Sequence, residues 1–220
     1  MTTIPFRLIP FAGDCEASDP GGLSITDNFT DSLTITGHLS FTEGTLEVAY
    51  QLRGDLAQLS LPSPASTPER RDLLWQTTCL ELFLARRGAD GYWEFNLSPA
   101  GHWNVYRLEG YRQGLAPEPA YHQLPLQVKP QEQSLAQHQA NSPAQQLTMT
   151  LRCPLPPDVR GNRVETAGET GATAGGRPGL EVGITAVIEH SDGRLSYWAL
   201  HHPAAEADFH HRGGFTIQVP

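Results

Sequence analysis

Apolar and polar residues alternate with a period of two through most of this chain. Leu33-Thr34-Ile35-Thr36 and Thr45-Leu46-Glu47-Val48-Ala49-Tyr50-Gln51-Leu52 alternate on either side of a turn at Glu43-Gly44, which predicts a hairpin. Between residues 73 and 84 the pattern is ambiguous. Leu73, Leu80 and Leu84 fit a helix, whereas Leu80, Leu82 and Leu84 share one face of a strand whose other face carries Cys79, Glu81 and Phe83. The threonines at 77 and 78 and the Gly88-Ala89-Asp90-Gly91 turn favour the strand. Trp93, Phe95 and Leu97 then alternate with Tyr92, Glu94, Asn96 and Ser98, predicting a half-buried strand that ends at Pro99. Further strands are predicted at 103–108, 124–128 and 146–152.

The C-terminal region reads as a hairpin. Val182, Ile184, Ala186 and Ile188 share a face, Asp192-Gly193 suits a type I′ turn, and residues 195–201 return, with a closing strand expected over 215–219. About nine to eleven short strands without a long helix predict an all-β chain. It should be one antiparallel β-sandwich spanning residues 1–220. Two low-complexity stretches, about 129–145 and 158–179, read as mobile loops inserted in that domain.

Composition agrees with this architecture. Among 220 residues, 21 Gly and 18 Pro weigh against long helices, and a formal charge of −9 disfavours a nucleic-acid partner. No apolar run is long enough for a membrane helix, and Met1–Pro10 lacks the basic start of a signal peptide, so the expected location is cytoplasmic. Cys15, Cys79 and Cys153 are odd in number and widely spaced, which suits reduced thiols.

Strand parity points to chemistry. Glu81 with Glu94, Asn96 and Ser98 fall opposite the apolar residues of their strands, so one sheet face is unusually polar. If Glu181, Thr185 and Glu189 share it, with Gly183 leaving space above the sheet, a shallow cavity lined by carboxylates and amides can form. Plain solvent exposure would produce the same alternation. Trp75 and Trp198 are candidate platforms for stacking on a ligand; a core position accounts for Trp75 equally well and for Trp198 slightly better, given its alternation with Tyr197 and Ala199. Glu81 and Glu94 on adjacent strands could also serve as a glycosidase acid pair about 5 Å apart. Cys79 reads as a small buried hydrophobe rather than a nucleophile. His201, His202, Asp208, His210 and His211 match no metal-ligand spacing, and neither a metal nor a cofactor is expected.

The runs Arg71-Asp72-Leu73-Leu74-Trp75-Gln76-Thr77-Thr78-Cys79-Leu80-Glu81-Leu82-Phe83-Leu84 and Gly91-Tyr92-Trp93-Glu94-Phe95-Asn96-Leu97-Ser98-Pro99-Ala100-Gly101-His102-Trp103-Asn104 resemble bacterial DOMON-like proteins related to family 9 carbohydrate-binding modules. So do Leu195-Ser196-Tyr197-Trp198-Ala199-Leu200-His201-His202-Pro203 and Asp208-Phe209-His210. The resemblance implies a sandwich of jelly-roll type that binds sugars or haem without catalysis. It also implies that Trp75 and Trp198 clamp the ligand and that Glu81 bonds its hydroxyls. An amide near Asn96 stands where the sugar-binding relatives carry a basic residue. Only Met149 could supply the methionine that the haem-binding relatives use. The expected function is non-catalytic binding of a small polar ligand, a carbohydrate, by Trp75, Glu81, Glu94, Asn96 and Trp198. The alternatives are a carboxylate-pair hydrolase, a haem-binding domain and a structural or protein-binding domain.

Overall fold

The computed structural model describes residues 2–14, 16–18, 24–26, 33–131, 145–160 and 179–220. Fifteen strands form there: β1 (Thr2–Arg7), β2 (Ile9–Pro10), β3 (Glu16–Ser18), β4 (Ser24–Thr26), β5 (Thr34–Thr42), β6 (Thr45–Gly54), β7 (Cys79–Arg86), β8 (Tyr92–Leu97), β9 (Trp103–Leu108), β10 (Ala116–Pro117), β11 (Leu126–Gln131), β12 (Gln145–Pro154), β13 (Leu180–Glu189), β14 (Leu195–Ala199) and β15 (Ile217–Val219). One helical turn, α1, spans Pro157–Arg160. A five-stranded sheet runs β1-β5-β6-β12-β11, and an eight-stranded sheet runs β10-β9-β8-β7-β13-β14-β2 with β15 beside β13. Every pairing within the two sheets is antiparallel, so the chain is the expected all-β sandwich. Most of the two low-complexity stretches lies outside the described residues. At their margins, residues 129–131 extend β11, residue 145 opens β12, and 158–160 belong to α1.

The core follows from the period-two pattern. Leu80, Leu82 and Leu84 of β7, Trp93, Phe95 and Leu97 of β8, and Val182, Ile184, Ala186 and Ile188 of β13 point inward. They meet Ile35, Leu39, Leu46, Val48, Leu52, Met149 and Leu151 of the facing sheet. Each fully buried Leu, Ile or Phe side chain contributes roughly 1.5–3 kcal/mol, which fixes the register because a one-residue slip would expose a whole row. Met149 is wholly buried in this packing.

Turn chemistry sets the hairpins. Thr42 pairs with Thr45, and Glu43 and Gly44 take φ of 46° and 79°, the doubly left-handed pair of a type I′ turn. The C-terminal hairpin departs from expectation. His190 N–H bonds the Arg194 carbonyl at 2.8 Å, and of Asp192 and Gly193 only Gly193 has positive φ, at 85°. The loop is therefore three residues, 191–193, closed by a left-handed glycine, and Asp192 caps it by accepting from Arg194 N–H.

Two features tie the layers together. The chain leaves β1, at the edge of one sheet, and enters β2, at the edge of the other, across the buried Leu8. Tyr50 of β6 crosses the core and donates its hydroxyl to the Glu81 carbonyl at 2.7 Å, with Phe6 packed edge-on against its ring at 5.5 Å. Burial strongly disfavours a phenolate there, and the Glu81 and Cys79 neighbours add to that, so the hydroxyl stays a donor. Tyr50→Phe is expected to cost about 1 kcal/mol in chemical denaturation with the fold retained. An unchanged midpoint would show that the crossing bond contributes nothing.

Candidate functional site

The outer face of the eight-stranded sheet carries the residues of opposite parity. Register places Asn96 beside Glu81, Glu94 beside Phe83 and Tyr106, and Glu81 beside Thr185. Glu81 and Glu94 are thus diagonal neighbours on adjacent strands, for which side chains start about 7–8 Å apart, wider than the direct cross-strand distance expected from sequence. This face is polar but not wet. All six residues of β8 are buried, with Glu94 4% exposed and Glu81 2%. The C-terminal segment after β14 accounts for the burial, because Phe215 and Phe209 join Phe83, Ala85, Tyr92, Tyr106 and Leu108 in a second apolar cluster on the outer side. The space expected above Gly183 is filled by the Phe215 ring, whose Cδ1 lies 2.8 Å from where a Cβ would stand.

Between this segment and the sheet lies a cavity of about 320 Å³, at the small end of the range for ligand sites. Glu81, Phe83 and Glu94 of the sheet line it, together with Trp75, Leu115, Tyr197, Phe209, His210 and Arg112 around them.

A strand could not bring Trp75 close to Glu81, six residues away, and the chain solves this with a turn. Leu73 adopts a left-handed φ of 60°, residues Leu74–Gln76 make a single 3-10 turn, and the chain doubles back before β7. Asp72 anchors the turn, accepting from Tyr106 Oη at 2.6 Å and Asn104 Nδ2 at 3.0 Å, and the Trp75 ring packs edge-on against Tyr106 at 5.8 Å. A bulky residue held at positive φ beside a cavity marks a conformation that the surrounding bonds impose.

Of the expected site residues, Trp75, Glu81 and Glu94 line one cavity. Asn96 is wholly buried beside it and reaches the site through Glu94, donating Nδ2 to Oε1 at 2.8 Å. Trp198 is elsewhere. It pairs with Ala186 on the inward face, is 2% exposed in the main core and donates its indole N–H to Ser196 Oγ at 3.0 Å. The opposite parity of β14 presents Tyr197 to the cavity instead.

The acids occupy an unusual electrostatic setting. Burial, then the charge of Glu94, pushes Glu81 well above the ordinary carboxyl range, against a hydrogen bond from Thr185 at 2.9 Å. Burial pushes Glu94 up to about 6, opposed by the Asn96 bond and by Arg112. Of the two, Glu81 holds its proton more tightly and Glu94 ionises first. Glu94 Oε2 has His210 Nε2 4.0 Å away, beyond hydrogen-bonding reach, and His210 is drawn down to about 4 by burial and then by Arg112, so it is neutral. Its Nδ1 shares a 2.7 Å hydrogen bond with Tyr92 Oη. Arg112, at φ 54°, bonds Asp208 Oδ1 at 2.9 Å, and Tyr111 donates to the other oxygen at 2.6 Å. Burial raises the proton affinity of Asp208, but these two bonds prevail and hold it below the usual range.

Cys79 is buried beside Asn96, with its thiol pushed up by burial and by Glu81, which leaves no reactive thiolate. Among the described residues no group of three or more His, Cys, Asp or Glu is placed to hold a metal ion, and no helix is long and apolar enough to cross a membrane. Cys79 and Cys153 are buried, whereas Cys15 lies outside the described residues.

No family model matches the chain, and no curated protein is similar to it. Among solved structures it is similar to a protein from Bacteroides uniformis, provisionally described as carbohydrate-binding, with a TM-score of 0.55 and 11% identity over 97% of this chain and 84% of the other. At that identity the likeness is one of fold.

Proposed function

We propose that this chain is a single DOMON-like domain whose outer-face cavity binds a small polyhydroxylated ligand, a carbohydrate, without transforming it. The observation that carries this reading is the meeting of Trp75, Glu81 and Glu94 in one cavity. An aromatic wall suits the apolar face of a sugar ring. Two buried carboxyls with raised proton affinities, of which Glu94 ionises first, suit its hydroxyls, since a carboxylate accepts and a protonated carboxyl also donates. The resemblance to family 9 carbohydrate-binding modules points the same way for Trp75 and Glu81. For the second aromatic, Tyr197 and Phe209 take the place expected of Trp198. The fold neighbour, itself provisionally described as carbohydrate-binding, adds support.

Calorimetry against a panel of mono- and disaccharides tests the proposal. Trp75→Ala is expected to weaken binding about tenfold or more, since stacking and buried apolar area together contribute at least 1.4 kcal/mol. Trp75 is half-buried on a turn, so the variant should melt close to wild type. Absence of heat with every sugar, or a variant that binds as tightly as wild type, would count against it.

A further inference from the structure

We infer that the ligand is cationic, an amino sugar whose ammonium group sits between Glu81 and Glu94 on the cavity floor. The inference rests on the carbohydrate reading above and narrows it. Each acid uses one oxygen within the protein. Glu81 Oε2 accepts from Thr185 and Glu94 Oε1 accepts from Asn96, while the second oxygen of each carboxyl has no hydrogen-bond partner. Both side chains are more than nine-tenths buried, and both line the cavity. Among the described residues these two oxygens have no protein partner and neither is sealed off, so they open on the cavity, where a ligand donor can complete them.

The surrounding groups do not supply the missing charge. Arg112, the cation at the rim, is engaged by Asp208 at 2.9 Å. His210 is neutral, and Cys79, Tyr92 and Tyr106 are all shifted towards their uncharged forms, chiefly by burial. Arg112 is paired with Asp208 and acts on Glu94 only through its field, so no cation bonds the ionised Glu94 carboxylate among the described residues. A neutral sugar would leave that charge as it is. An ammonium group would pair with it and donate charge-assisted bonds to the vacant oxygens, and its charge would lower the raised proton affinity of both carboxyls, so that protons they hold pass to solvent. The rings of Trp75, Tyr197 and Phe209 line the same cavity and favour a cation over a neutral group.

Titration of the full chain at pH 7 with D-glucosamine, N-acetyl-D-glucosamine and D-glucose, in phosphate and in MOPS, whose tertiary amine is a poor mimic of the ligand, tests the inference. The expected result is at least tenfold tighter binding of glucosamine than of the other two, with a buffer-dependent heat that reports proton release. Glu94→Gln should remove the preference, and Glu81→Gln should remove the proton release. Equal binding of all three sugars would overturn the inference and leave the carbohydrate reading standing. Binding of cyclohexylamine with no binding of any sugar would retain the cation site and overturn the carbohydrate part. No binding of any of the four probes would overturn both.

Discussion

Gly37→Ala is expected to destabilise the protein by about 3 kcal/mol or more, lowering the melting temperature by roughly 6–12 °C. Gly37 lies within β5 opposite Tyr50. A Cβ there would stand 2.0 Å from the Ala49 carbonyl oxygen and 2.4 Å from Phe6 Cζ. The first atom belongs to the paired backbone, so relief requires β5 and β6 to separate. The second belongs to the ring that supports Tyr50, and Tyr50 in turn reaches the Glu81 carbonyl. The loss therefore extends from an unremarkable glycine to the cavity floor. Gly110→Ala is the control, because a Cβ at that position meets nothing within 4 Å and the backbone φ is not positive. Differential scanning calorimetry decides the matter: a Gly37→Ala variant melting with the control would show that the strands yield without cost.

The second large effect is a fall in stability as pH rises from about 5 to 6. Glu81 and Glu94 carry raised proton affinities in the folded state, against about 4.5 when unfolded. Above pH 4.5 the unfolded chain releases protons that the folded chain retains, so each acid's contribution declines with rising pH until its folded value is reached. For Glu94 the window runs from 4.5 to about 6, equivalent to about 2 kcal/mol. For Glu81 it extends further. His210 acts in the opposite sense, since its folded value of about 4 lies below the unfolded 6.5, and its contribution grows as pH rises through that interval. Two carboxyls outweigh one imidazole up to pH 6. The double variant Glu81→Gln, Glu94→Gln should reverse the trend between pH 5 and 6.5, leaving melting temperatures that rise with pH under His210 alone. A double variant with the same decline as wild type would place the pH dependence elsewhere.

The sequence reading and the structure agree where a local rule decides the outcome. Period-two alternation identified β7 and β8, and parity alone placed Glu81 and Glu94 on a common face. What parity could not reveal was the cover. Residues 200–216 show no period, yet Phe209, His210 and Phe215 of that stretch turn an outer sheet face into a closed site. Arg112 and Leu115 also come from irregular backbone, and their positions depend on contacts with Asp208 and its neighbours. Trp198 illustrates a different limit. The alternation of Tyr197 and Ala199 against Trp198 and Leu200 was visible, but which set faces the cavity depends on the pairing of Val187 with Tyr197. The turn at Leu73 that brings Trp75 back toward Glu81 carries no sequence signal, because no residue type there announces a left-handed backbone.

The passage of the N-terminal chain from β1 to β2 has a bearing on solubility. One continuous peptide supplies the last strand of the five-stranded sheet and the last strand of the eight-stranded sheet on that side. Unpaired strand margins invite foreign chains to add on and propagate as aggregates. Here the penultimate strands, β5 and β14, are both flanked by the same short segment, residues 2–10. Full exposure of both requires that segment to leave both sheets, so self-association through either margin is guarded by a single shared hem.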